Sequence, residues 1–127
     1  MRSTKELAWL AGMVEGEGCI QWTKSGSPHI HISSTDKDVL EKCGRIVRRD
    51  VYGPITKATA KKPQYAVRLY GPMAASWMMT LYPMLGERRR SKVREVLAIW
   101  RARPVRHRQD FWIRNGGRQR ATLGGYE

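Results

Sequence analysis

The chain has 127 residues, 41% of them hydrophobic, with five Trp and a formal net charge of +13. That composition excludes a disordered tail, and the length suits one folded domain with a core of its own. No apolar run approaches the roughly 20 residues that span a bilayer, and Cys19 and Cys43 form no CxxC pair, so neither a zinc site nor a disulfide framework is implied.

In chain order, Ser3 or Thr4 caps a first helix, with Glu6 near its first turn. The helix reads Leu7-Ala8-Trp9-Leu10-Ala11-Gly12-Met13-Val14 and runs out near Gly16–Gly18. Cys19 to Lys24 alternates as a strand, Ser25-Gly26-Ser27-Pro28 is turn chemistry, and His29 to Ser34 alternates again, which predicts a β-hairpin. Thr35 or Asp36 caps a second helix whose apolar positions are Val39, Leu40, Cys43, Ile46 and Val47. Tyr52-Gly53-Pro54 breaks it. Ile55–Thr59 and Gln64–Tyr70 predict a second hairpin around Lys61-Lys62-Pro63. Gly71-Pro72 opens a third helix, Met73 to about Leu81. Pro83 and Gly86 separate it from a fourth, Glu87 to about Ala102. The expected class is α+β: a four-stranded antiparallel sheet with helices on one face, leaving the other face free. Residues 1–103 are expected to form this single domain. Residues 104–127, which include Phe111-Trp112, are expected to form a basic C-terminal extension that orders on a partner.

The charge is unevenly spread. Residues 1–43 hold five Lys/Arg and six Asp/Glu, residues 44–70 hold seven and one, and residues 71–127 hold twelve and four. A positive excess that spares the acid-bearing first third points to a polyanion, because neutralised phosphates release counterions. A merely soluble basic surface and an anionic membrane are the alternatives. Residues 1–6 lack the charged start, apolar middle and cleavage site of a secretory signal. The expected setting is intracellular, cytoplasmic, nucleoid-associated or organellar, and not secreted.

Ala8, Gly12 and Gly16 stand four residues apart and form one nearly bare ridge on the first helix. Gly costs roughly 0.8–1.0 kcal/mol relative to Ala inside a helix, so a ridge of this kind calls for a compensating close approach. It predicts packing against an equivalent helix. Two such helices bring two Glu17 carboxylates together at their tips. Like carboxylates repel unless a cation lies between them, and carboxylate with carbonyl oxygen suits Mg²⁺. Beside a polyanion, such an ion serves phosphodiester hydrolysis. The bland alternative is that Glu15 and Glu17 are solvated helix-end residues.

The stretch Leu10-Ala11-Gly12-Met13-Val14-Glu15-Gly16-Glu17-Gly18, with Cys19-Ile20 after it and the helix–hairpin–helix–hairpin–helix order, resembles the signature of LAGLIDADG homing endonucleases over roughly residues 5–100. The resemblance implies a DNA-binding saddle and a metal-dependent, site-specific double-stranded DNA endonuclease. It implies Glu17 as catalytic metal ligand, the Gly16 carbonyl as a second ligand, and Mg²⁺ as cofactor with Mn²⁺ able to substitute. One motif per chain implies a homodimer, with Ala8, Gly12 and Gly16 at its interface, and a long, roughly palindromic target. The family's usual last acid is Asp, whereas this chain has Glu17. Asp36, in Ser34-Thr35-Asp36-Lys37, matches the place of a polar residue that contacts the water network, although helix capping explains it equally well. Arg88, after the third helix, matches the place of a basic residue. As Arg it would stabilise phosphate charge rather than move protons, and an ordinary phosphate clamp is an equal reading.

If the sheet is half buried, Ile20, Trp22, Ile30, Ile32, Tyr65, Val67 and Leu69 face inward. Gln21, Thr23, Lys24, His29, His31, Ser33, Lys57, Thr59, Gln64, Arg68 and Tyr70 then point outward, and a two-stranded ribbon fits the major groove. Lys61, Lys62, Arg88, Arg89, Arg90 and Lys92 are candidate backbone contacts, which position without specifying. Simple solvent exposure is the alternative for His29 and His31. An RNA-binding intron maturase, or a non-cutting DNA-binding protein on the same scaffold, remain alternative functions.

Overall fold

The computed structural model describes residues 2–59 and 61–103. The Phe111-Trp112 arm lies outside them. Helix α1 spans Thr4–Glu17. Of the two candidate caps Ser3 is the one used, and with Glu6 it closes a capping box: the Glu6 N–H donates to Ser3 Oγ at 3.1 Å and the Ser3 N–H donates to Glu6 Oε1 at 3.0 Å, satisfying two donors that a helix end leaves orphaned. Strands β1 (Gly18–Trp22) and β2 (Pro28–Ser34) form the first hairpin. Its turn is closed by the Thr23 N–H to the Ser27 carbonyl at 2.9 Å, with Gly26 at φ 90°. Helix α2 is Lys37–Val47, β3 Tyr52–Ile55, β4 Gln64–Tyr70 and α3 Gly71–Leu81. A 3-10 turn, Tyr82–Met84, leads to α4, Glu87–Arg101. Two compact units divide the chain, Met1–Leu97 and Ala98–Glu127. Of the second, the described part is the end of α4 and the two residues after it. No helix among the described residues is long and apolar enough to cross a membrane.

The sheet is antiparallel in the order β1-β2-β4-β3. Ile20, Ile30, Ile32, Val67 and Leu69 line its covered face. Leu10 and Val14 of α1, Leu40, Cys43 and Val47 of α2, and Ala74, Met78 and Leu81 of α3 join them in the core. Burial pushes the Cys43 thiol up to about 11, so it behaves as a small apolar side chain. Trp22 and Tyr65, expected inside, are only half-buried.

One strand departs from expectation. Tyr52-Gly53-Pro54 is not a bare break: it forms most of β3, and Lys57 and Thr59 fall in the β3–β4 loop instead. Proline lacks an N–H for a two-sided ladder, but β3 is an edge strand and needs bonds on one side alone. Gly53 also lies against β4, where a Cβ would come within 2.8 Å of the Gln64 carbonyl oxygen. First and last turns shift elsewhere by a residue or two: β1 ends at Trp22 rather than Lys24, and α3 already starts at Gly71.

Gly18 makes the abrupt passage from α1 to β1. Its φ of −92° suits any residue, but an added Cβ would meet the Val14 carbonyl oxygen at 2.7 Å and Val14 Cα at 2.9 Å. Backbone atoms in a buried turn cannot step aside cheaply. Gly18→Ala is therefore expected to cost about 1–3 kcal/mol of stability, the usual range for overpacking, measured as a lowered urea midpoint at unchanged m-value.

Candidate nucleic-acid interface and metal-binding end

The end of α1 separates the roles of its two acids. Leu10 and Val14, each 1% exposed, hold the helix in the core. Glu15 turns to α4: its carboxylate accepts the Gly86 N–H at 2.8 Å, and Arg89 Nη2 donates to the Glu15 carbonyl at 3.2 Å. Gly86 immediately precedes α4, where amides lack partners and negative charge is favoured. Glu15 thus docks the start of α4 onto the end of α1. Glu17, the last residue of that helix, is exposed, and no hydrogen bond or ion pair engages its carboxylate among the described residues. The Gly16 carbonyl belongs to the last turn, where helix carbonyls have no amide four residues on within the helix.

Strand register gathers other candidates at this end. Gly18 pairs with Ile32, and Ser34 with Tyr65. The start of β1, the end of β2 and the start of β4 therefore meet, bringing Glu17, Asp36, Lys61, Lys62 and Gln64 to one end of the sheet. Asp36 precedes α2 with extended backbone, but its side chain makes no capping bond; its own N–H donates to Ser34 Oγ at 3.1 Å. Its carboxylate is exposed and not consumed by capping. Arg88 is exposed in the first turn of α4, two residues beyond the Gly86–Glu15 contact. The neighbouring cations are engaged: Arg89 with Glu15, Arg90 with Glu87 at 3.2 Å, and Lys92 with Glu95 at 3.2 Å. Hydrogen bonds from Arg94 and Arg90 hold the Glu87 carboxyl below its ordinary range.

No group of three or more His, Cys, Asp or Glu converges among the described residues. One chain offers an exposed carboxylate and a last-turn carbonyl. These are hard oxygen donors, and Mg²⁺ commonly takes one or two carboxylates and leaves its remaining positions to water and phosphate. The donor set fits a divalent ion as part of a site rather than as a closed cage.

The sheet face that no described helix covers is ordered in cross-strand rows. Gln21, His29 and Tyr70 form one row, and Cys19, His31 and Arg68 the next. Gln21 Nε2 lies 3.1 Å from His29 Nδ1. The Tyr70 ring stacks on His29 at 4.4 Å, and His31 stacks on His29 at 6.0 Å. His29 is only 7% exposed, so this row presents the exposed Gln21 and Tyr70 side chains rather than its imidazole. His31 and Ser33 are half-buried on the same face, whereas Thr23 and Lys24 belong to the hairpin turn. Arg68 sits over the Tyr52 ring at 4.4 Å. Tyr52, Arg48 and Arg49 join this side of the molecule without having been singled out from the sequence. The Arg-Arg-Asp run directly after a helix was the available signal.

Burial lowers the pKa of both histidines, first by desolvation. His31 and Arg68 add to it at His29, and Arg68 and Lys57 at His31. The unfolded chain therefore binds protons near pH 6.5 that the folded one refuses. Stability from these neutral rings is complete above that pH and is lost as pH falls through the depressed folded values. A urea midpoint that drops on acidification below about pH 6.5, and drops less in a His29→Gln/His31→Gln double variant, is the expected result. An identical acid slope in the variant would place the effect elsewhere.

The LAGLIDADG-like domain model matches residues 4–73 of the chain. No curated protein matches it. Among solved structures, the homing endonuclease I-CvuI in complex with its target, in the presence of 2 mM Ca, is similar with a TM-score of 0.59 and 18% identity, over 74% of this chain and 64% of that one. I-CvuI with the I-CreI target, in 2 mM Mg and with the DNA not cleaved, is similar with a TM-score of 0.55 and 20% identity over the same shares. The chain thus spans 64% of the length of these neighbours. At such identities the likeness establishes the fold.

Proposed function

The chain belongs to the LAGLIDADG family, and from that premise we propose that it is one half of a site-specific double-stranded DNA endonuclease acting as a homodimer. The observation that carries this reading is at α1: Glu17 stands free at the tip of a helix whose Ala8–Gly12–Gly16 ridge is exposed and uncrowded. An added Cβ at Gly12 or Gly16 meets nothing within 4 Å. Nothing among the described residues requires glycine there, and a second copy of the helix supplies the reason. Two-fold pairing places two Glu17 tips together, and a two-fold protein reads a roughly palindromic target.

The duplex lies on the uncovered sheet face, where Gln21, Arg68 and Tyr70 meet base edges or sugar–phosphate. Glu17 and the Gly16 carbonyl would hold a divalent ion, Mg²⁺ by its donor chemistry, which when bound would supply activation of water and charge stabilisation of the leaving oxygen. Asp36 orients water at the same end of the sheet. Arg88 gives fixed positive charge to the scissile phosphate, and its guanidinium is too basic to relay protons. The neighbours solved with target DNA and with Ca or Mg support this assignment of partner and ion class.

The test is cleavage of a randomised duplex library with Mg²⁺ and with chelator, sequencing the new ends. Discrete, roughly palindromic cut sites that need the ion support the reading. Selective duplex binding without cutting would reassign the chain to DNA binding alone. Preference for intron RNA over duplex at fixed salt would reassign it to splicing assistance.

A further inference from the structure

At the end of the sheet opposite Glu17, the turn from α2 to β3 and the last residues of β4 line an open, solvent-facing pocket of about 430 Å³. It is lined by Arg48, Arg49, Asp50, Tyr52, Arg68 and Tyr70. Three guanidinium groups face one carboxylate, and none of the three forms an ion pair among the described residues. A cluster of like charges left unneutralised costs self-repulsion, and the turn that ends α2 places two of its three members. Arg48 takes the left-handed conformation (φ 60°, ψ 50°), unusual outside glycine, and the Arg49 N–H returns to the Gly44 carbonyl at 3.0 Å. The turn closes so tightly that a Cβ on Gly44 would lie 2.5 Å from the Arg49 carbonyl oxygen. Helix α2 therefore ends by delivering two consecutive arginines to the edge of the sheet, against a third on β4.

We propose that this pocket is an oxyanion site that takes one backbone phosphate of the nucleic acid lying on the uncovered sheet face. The proposal rests on the duplex-binding reading above. Arg68 and Tyr70 belong to both the uncovered face and the pocket, so a strand crossing the face runs directly into it. Guanidinium groups hold phosphate oxygens with paired, charge-assisted hydrogen bonds, and the two phenols add donors. Both aromatic rings already have a face in use, Tyr52 under Arg68 and Tyr70 on His29. That favours phosphate and sugar over a stacked base. The site lies far along the sheet from the metal-binding end, so it sets register and affinity rather than chemistry.

The experiment measures duplex affinity of the full chain against salt for wild type, an Arg48→Gln/Arg49→Gln double variant and an exposed control, Lys5→Gln. One phosphate contact contributes about 0.9 to the slope of log K against log salt. The double variant is expected to lose about that much, so that its affinity deficit narrows about 3.5-fold between 50 and 200 mM salt. The control is expected to keep the wild-type slope. Arginine side-chain NMR separates the two sources of phosphate: Arg48, Arg49 and Arg68 resonances shift on adding duplex. Shifts with millimolar inorganic phosphate but none with bound duplex would overturn the proposal in favour of a free-anion site. An unchanged slope in a folded double variant would overturn it outright, whereas failure of wild type to bind duplex would instead remove the reading beneath it. Gly44→Ala displaces the turn without altering charge and, if folded by circular dichroism, is expected to lose the same contact.

Discussion

Glu17→Gln is expected to abolish cleavage while leaving duplex binding intact or tighter. The side chain is exposed at the last position of α1 and engages no partner among the described residues, so its removal disturbs no packing or hydrogen bond among them. Gln keeps the length and one oxygen but loses the anionic charge that makes a good ligand for a hard cation. Groups one layer outside a metal already cost roughly 10–100-fold in affinity or activity when removed. If Glu17 is a direct ligand in each copy of the proposed dimer, its loss is expected to exceed that range. Removing a carboxylate facing polyanionic DNA also lowers repulsion, so metal-free binding should hold or strengthen. Cleavage rate and equilibrium binding, measured on the same duplex, check the split. Near wild-type cutting by Glu17→Gln would remove this residue from the metal site. Glu15→Gln should behave differently, because Glu15 is bonded to Gly86: its loss is expected as lowered stability rather than as a selective loss of cutting.

Gly12→Leu is expected to leave the single chain folded and to eliminate the dimer and its cleavage together. Within the chain, a Cβ at residue 12 meets no atom within 4 Å. Replacing Gly on an exposed helix face even gains helix propensity, roughly 0.6–1.0 kcal/mol. Against a partner helix the same leucine props two backbones apart where close approach needs small residues. The decisive measurements are gel filtration and the concentration dependence of the thermal midpoint. Wild type should melt higher as concentration rises, since dimerisation stabilises by mass action, and Gly12→Leu should lose that dependence. A Gly12→Leu protein that remained dimeric and active would exclude this ridge from the interface. Gly18→Ala is the useful contrast. It sits two residues beyond the ridge, and its cost falls on the monomer because Val14 backbone fills the space.

Much of this is legible in the sequence. Capping at Ser3 or Thr4, the alternation of residues 29–34 and 64–70, and the spacing of Leu40, Cys43 and Val47 are local patterns. They report burial directly, because side-chain period and backbone geometry are coupled over a few residues. The nine residues from Leu10 to Gly18 identified the family as well as the helix. Other features depend on partners distant in sequence. Whether Pro54 breaks a chain or edges a sheet depends on which side of β3 has a neighbour. That Glu15 docks α4 while Glu17 stays free follows from an approach by Gly86, 71 residues away. His29 alternates as an outward residue yet is covered, because Tyr70 and His31 arrive on its ring from across the sheet and along the strand. Arg48, Arg49 and Arg68 become one pocket only when the turn after α2 closes against the end of β4. The sequence by itself determined the elements other than β3, the family and the acid at the helix tip, since those are set by period and by a contiguous motif. The tertiary structure alone decided which charges are free and which are spent, because hydrogen bonds and burial are made between residues that the chain order keeps apart.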